Sequence, residues 1–156
     1  MVNPVTGLPE GQVVQEHLNS MLNQSDWGVI LAGIRGLGNF RDRYGFVAAD
    51  DVARAVSLMI TNAMQDSGAA SDFVGHLDTV YFIIITNLER YKRVAENCLS
   101  RLQPSIQYFY PAVDRAYIND MKESERLRVQ IANLSSQNGA FSSIKDLQAA
   151  LYKNIQ

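Results

Sequence analysis

The chain is poor in the residues that build stapled or metal-bound scaffolds. It carries one cysteine, Cys98, in 156 residues, so no disulfide can close within it and no cysteine-rich metal site can be assembled. Its two histidines, His17 and His76, have no acidic or cysteine cluster beside them in sequence and read as ordinary packed or surface side chains. Charge is scarce and balanced: 14 Lys and Arg against 16 Asp and Glu, a net of -2. That excludes the basic footprint of a nucleic-acid binder, and the acidic excess is too small for an acidic tail. A phosphate-rich ligand would have to be held by a few local donors. The longest apolar run, Val80 to Ile85, is far short of a membrane span. Met1 to Pro4 has neither the basic nor the apolar segment of a secretory leader, so a soluble, cytoplasmic chain is expected. P-loop, Rossmann and serine-hydrolase patterns are absent. The glycines from Gly33 to Gly38 lack the lysine and spacing of a phosphate loop.

What is present is apolar side chain, 47% of the residues, with no composition break, which predicts one domain over residues 1–156. Val13, Val14, His17, Leu18, Met21 and Leu22 recur at helical spacing between Glu10 and Asn23. Trp27 to Ile34 is an uncharged run that reads as a strand covered on both faces. Gly36 and Gly38 break it, and a short polar stretch, Asn39 to Tyr44, ends at Gly45. Phe46 to Asp66 is the longest helical pattern, with Val52, Val56, Met59, Ile60 and Ala63 as its stripe and Gly68 as its stop. Two strands at about Asp72–Leu77 and Thr79–Thr86 are close enough to form a hairpin. Leu88 to Leu102 is helical again, and Cys98 on its apolar face reads as a small buried hydrophobe. Pro104 to Asn119 is aromatic and irregular, a packed loop. Its Tyr108, Phe109, Tyr110 and Tyr117 serve either the core or a partner surface. Leu127, Val129 and Ile131 alternate with polar residues as a strand, and Ser143 caps a last helix carrying Ile144, Leu147, Leu151 and Tyr152. The order predicts an α+β fold, a mainly antiparallel sheet flanked by helices.

Four segments in this order, spanning almost the whole chain, resemble the GGDEF family of diguanylate cyclase domains, with their nucleotide-cyclase-like fold. Asn3 to Gly11 is similar to the opening D-x-L-T-G-L-P-N-R, with Thr6-Gly7-Leu8-Pro9 intact and the flanking acid and arginine both replaced. Gly33 to Asp50 lies under D-x-D-x-F-K-x-I-N-D-x-x-G-H-x-x-G-D, matching at Asp42, Gly45 and Asp50. Asp78-Thr79-Val80-Tyr81-Phe82 falls under the signature itself, where only the phenylalanine matches; a three-residue shift would place Gly75 to Thr79 there instead. Ser143 to Tyr152 resembles the closing helix.

The resemblance implies a reaction in which two GTP molecules are joined with the help of two divalent ions, and those ions need carboxylate ligands. At the positions it assigns to them stand Gly33, Val80 and Tyr81; Asp78 and Thr79 replace the glycine pair that lets the backbone approach the nucleotide. The phosphate-contacting lysines fall on Gly38 and Ile155, and the arginine of the inhibitory product site falls on Ala69, leaving Asp72. The expectation is therefore a degenerate, non-enzymatic bacterial signalling domain with no metal and no cofactor. It would work through a protein partner, a fused receiver or sensor domain, or a homodimer, with neither nucleic acid nor membrane involved. Asp50 and Arg41 are the candidate nucleotide contacts that the resemblance leaves. Asp50 and Asp51 read equally as first-turn acids complementing a helix dipole, and Arg35, Arg41 and Arg43 as either an anion site or a solvated loop. A nucleotide-binding sensor and an active cyclase are the rival readings.

Overall fold

The uncharged run after Trp27 occupies the middle of the molecule. In the computed structural model, which describes residues 1–78 and 80–155, it is strand β1 (Trp27–Arg35). It pairs antiparallel with β3 (Tyr81–Asn87) on one side and β4 (Arg128–Ser135) on the other. With β2 (Phe73–Asp78) beyond β3, the four strands form one antiparallel sheet in the order β2-β3-β1-β4. A central strand has neighbours at both edges and layers on both faces, which is why its sequence shows no polar alternation.

Each face of the sheet carries a pair of helices. Ile30, Ala32 and Ile34 point to α3 (Phe46–Ser67) and α4 (Tyr91–Ser105), where Val52, Val56, Ile60, Val94, Cys98 and Leu102 join them in one buried cluster. Val29 and Leu31 point the other way. They meet Val14 and Leu18 of α1 (Gln12–Leu22) and Leu147 and Leu151 of α5 (Ile144–Asn154). Burial pushes the Cys98 thiol up to about 11, so it is protonated and packs as an apolar group. Ser143 caps α5, its Oγ accepting from the Asp146 N–H at 3.1 Å. No helix among the described residues is long and apolar enough to cross a membrane.

Three segments differ from the expectation. Asn39 to Tyr44 is helical: α2 (Leu37–Tyr44) begins at Gly36, whose φ of +79° turns the chain out of β1. A side chain at Gly36 would meet the Arg126 carbonyl oxygen at 2.3 Å, so only glycine fits. The apolar spacing of Leu37 and Phe40 was obscured by the polar residues between them. Second, Pro104 to Asn119 is not a loop. Pro104 lies in the last turn of α4, and two 3-10 segments follow, Ile106–Phe109 and Ala112–Asp120. Third, α4 starts only at Tyr91. Leu88 to Arg90 is a turn held by Leu88 N–H donating to the Asp26 carbonyl at 2.7 Å and Arg90 N–H to Asn87 Oδ1 at 2.9 Å.

The aromatic group between α4 and β4 divides between buried and exposed side chains. Tyr110 is buried, stacks edge-on against Phe40, and accepts the Leu127 N–H at 2.9 Å. Tyr108 and Tyr117 stand out in solvent.

Truncating Phe82, which is fully buried against His76 and the α3 layer, is expected to cost about 3–5 kcal/mol. Ser143→Ala at the α5 cap should cost about 1 kcal/mol. Urea unfolding followed by circular dichroism measures both.

Candidate functional site

The β2–β3 hairpin brings its tip against the end of β1. Gly33 pairs with Tyr81 across the strands, and Ile34 N–H donates to the Val80 carbonyl at 2.9 Å. Asp78 pairs with Tyr81 at the tip, whereas Gly75 pairs with Ile83 in the body of the hairpin. Thr79 lies outside the described residues. Thus Gly33, Val80 and Tyr81, which lie far apart in the sequence, adjoin at one spot.

The side chains of Val80, Tyr81 and Ile155 at that spot are apolar or phenolic, with Arg35 and Asp78 beside them. A Cβ placed on Gly33 would meet Tyr81 Cε1 at 2.8 Å and Ile155 Cδ1 at 3.3 Å. Tyr81 in turn packs edge-on against Tyr152 of α5, ring centres 5.0 Å apart, and Arg35 Nη1 donates to its hydroxyl at 3.4 Å. Burial, with the neighbouring Asp78 carboxylate and Tyr81 adding to it, raises the Tyr152 phenol above its ordinary value. Ile155, buried at the end of α5, is the position expected of a lysine. So the tyrosine ring and the isoleucine occupy the space that a side chain on residue 33 would need. Hard cations take oxygen ligands, chiefly carboxylates, and Gly33, Val80, Tyr81 and Ile155 bring none; the one carboxylate beside them is Asp78, opposite Tyr81 and near the Tyr152 phenol. Among the described residues no group of three His, Cys, Asp or Glu is placed to hold a metal.

The other candidates lie apart from this cluster. Arg41 is exposed on α2, its guanidinium 5.6 Å above the Phe46 ring. Asp50 is half-buried in the second turn of α3, since the helix begins at Phe46 and has no acid in its first turn. The dipole explanation for Asp50 and Asp51 therefore falls away. Asp51 instead pairs with Arg54 at 2.7 Å on the surface. Arg41 and Arg43 each lie over an aromatic ring, Phe46 and Tyr44, while Arg35 is engaged with Tyr81, so the three do not form one anion site.

The opening motif folds into a turn on the outer edge of β2. Asn3 Oδ1 accepts from the Val5 and Thr6 N–H groups at 2.9 and 3.1 Å. Near the place where the resemblance puts an acid–arginine pair, Asn3 Nδ2 donates to Glu10 Oε2 at 3.1 Å.

No protein-family model matches the sequence, and no curated protein matches it. Solved structures do. The diguanylate cyclase SiaD of Pseudomonas aeruginosa, solved with its activator SiaC, superposes with a TM-score of 0.71 at 14% identity, over 99% of this chain and 56% of that one. The GGDEF domain of TpbB (YfiN) from the same organism gives 0.72 at 18%, over 99% and 86%. The Vibrio cholerae LapD segment containing an S helix, GGDEF and EAL, bound to c-di-GMP, gives 0.72 at 18%, over 99% and 33%. The chain has the fold of a GGDEF domain. It spans about half of the SiaD chain and a third of the LapD one, and most of the isolated GGDEF domain.

Within the GGDEF fold a second concavity lies at the far end of the sheet from the hairpin tip. It measures about 460 Å³ and its lining includes His17, Phe73, Ala69, Asp72, Thr86 and Arg90. Ala69 and Asp72 are the two positions that the resemblance assigns to the inhibitory product site. Asp72 is nearly buried and committed to the protein: Oδ1 accepts from Arg90 Nη2 at 2.8 Å, and Oδ2 from Thr86 Oγ1 at 2.9 Å and the Ala69 N–H at 2.8 Å. Arg90 Nε is buried without a partner, and the His17 and Phe73 rings stack 3.9 Å apart at its rim. Neither Arg90 nor the ring pair was singled out from sequence, because neither forms a motif with Asp72.

Gly33→Asp is expected to destabilise the protein by about 1–3 kcal/mol through overpacking against Tyr81. Adding Tyr81→Ala should relieve part of that cost, so the double mutant is more stable than the sum of the singles predicts. Denaturant midpoints of the four proteins in the cycle test this.

Proposed function

We propose that the chain is a catalytically inactive GGDEF-like module of bacterial signalling, working through protein contact or dimerisation. The observation that supports this most strongly is the pairing of Gly33 with Tyr81, with the Tyr81 ring and Ile155 filling the space above Gly33. Joining two nucleotides through an attack on an α-phosphate builds negative charge on phosphate oxygens. Divalent ions held by carboxylates offset several kcal/mol of that charge, and each 1.4 kcal/mol withheld is about tenfold in rate. The three positions where such carboxylates would stand carry a hydrogen, an isopropyl group and a phenol. Where the resemblance places the glycine pair, the sequence has Asp78 and Thr79, neither of which has glycine's backbone freedom.

Protein contact is the role that remains open to the same fold. SiaD is held by a protein activator and the LapD segment carries its GGDEF domain between other segments. For this chain the input would come from a separate partner or from a receiver or sensor domain attached to it.

A second reading, a nucleotide-sensing module, is favoured by one observation: the cavity of about 460 Å³ with an unpartnered guanidinium nitrogen on Arg90 and a stacked ring pair at its rim. Against it, Asp72 has both oxygens occupied within the protein.

The purified chain incubated with GTP and magnesium should form no cyclic di-GMP above a no-protein control by mass spectrometry; turnover above that control overturns the inactive reading. Calorimetric titration with GTP and with cyclic di-GMP should give no heat, with or without magnesium. A saturating heat lost in Arg90→Ala would instead establish the sensing reading.

A further inference from the structure

The opening turn meets the sheet through a buried histidine. His76 lies in β2 and is 2% exposed. Its Nε2 is 2.6 Å from the Thr6 hydroxyl and its Nδ1 is 3.4 Å from the Asp78 carbonyl. A carbonyl can only accept, so the proton of the neutral ring sits on Nδ1 and Nε2 accepts from Thr6. Thr6 Oγ1 then uses its other side to accept the Leu8 N–H at 3.3 Å. The backbone follows the same path, His76 N–H donating to the Pro9 carbonyl at 2.8 Å, while Val2 bridges to Pro9 inside the turn. The Phe82 ring closes the inner side of the imidazole at 4.6 Å.

This arrangement is built for a neutral ring. The pocket around His76 offers one accepting carbonyl, one donating hydroxyl and an aromatic face. If Nε2 gained a proton it would confront Thr6 with a second donor, and the threonine would lose the acceptor for its own proton. The charged groups that face the ring are the Glu10 carboxylate from the turn and Asp78 from the hairpin tip. On the side of the turn away from β2, the pair Arg54–Asp51 of α3 holds the Val5 carbonyl, Arg54 Nε donating at 3.2 Å.

We propose that His76 is a proton-operated latch: neutral, it holds the Asn3–Glu10 turn on the edge of the sheet, and protonated, it lets that turn lift into water. Desolvation of the imidazolium is the dominant cost, and it lowers the His76 value below 6.5; the Asp78 carbonyl and Glu10 oppose it without reversing it. The sign follows from that direction. The open, hydrated ring binds its proton near pH 6.5, and the closed one binds it at lower pH. The open state therefore gains population as pH falls below 6.5, and the gain levels off once the closed ring is also protonated. In that window one proton makes opening up to tenfold more frequent per pH unit. The strands β1 and β3 contain no histidine and their pairing is outside the effect.

Hydrogen exchange by mass spectrometry on the full chain, corrected for the intrinsic pH dependence of exchange, tests this between pH 8 and 5. The expected result is a loss of protection at the Leu8 and His76 amides below pH 6.5 while β1 and β3 keep theirs. In parallel, the His76 ring resonances followed by NMR should titrate over the window in which the turn opens. His76→Gln retains a hydrogen-bonding side chain without a proton step, and its turn should show protection independent of pH over the same range. Unchanged wild-type protection at pH 5, a ring titration separated from the opening, or the same opening in His76→Gln would each overturn the latch.

Discussion

Everything in this molecule is referred to one strand. β1 is hydrogen-bonded along both edges and covered on both faces, and its alternate side chains divide the interior into two layers. Because residues i and i+2 of a strand share a face, Ile30, Ala32 and Ile34 can belong only to the α3–α4 layer, and Val29, Leu31 and Gly33 only to the α1–α5 layer. A slip of one residue would exchange the two sets and place Gly33 in the wrong core. The register of β1 against β3 thus determines both which helices pack where and which residue faces Tyr81.

The hairpin-tip site illustrates how a polar site and a packed one make opposite demands on the same backbone. Carboxylates brought together without a cation repel and are costly to desolvate. A glycine covered by a tyrosine ring, with an isoleucine beside it, buries apolar surface and leaves only the phenolic oxygen to satisfy, which Arg35 does. The same logic applies at the opening motif. There, the Asn3 side chain bonds to Glu10 and to the Val5 and Thr6 N–H groups and so holds the shape of the turn. The fold around these contacts is one that solved GGDEF structures share at 14–18% identity.

The segment between α4 and β4 also joins packing to exposure. Tyr110 closes the core and receives the Leu127 N–H, and Tyr44 donates to Asp114 at 2.6 Å, so the second 3-10 segment is tied to α2. Tyr108, Val113 and Tyr117 remain outside. The two tyrosine rings on a secured backbone present contact area with little further loss of conformational freedom, a property suited to the protein contacts proposed for the chain.

By itself the sequence determined the α+β order, the doubly covered central strand, the hairpin, the four long helices and the Ser143 cap. Each of these rests on periodicity or on local chemistry within one segment. Short elements were illegible where polar residues diluted the pattern, as in α2, or where a proline and aromatics mimicked a loop, as in the 3-10 segments. Only the tertiary structure decided that Tyr81 and Ile155 cover Gly33, that Asp72 is consumed by Arg90 and Thr86, and that Thr6 meets His76 across 70 residues of chain. These contacts depend on strand register and on how helix ends dock, and such distances are set by the packing of the whole core and by no single stretch of sequence.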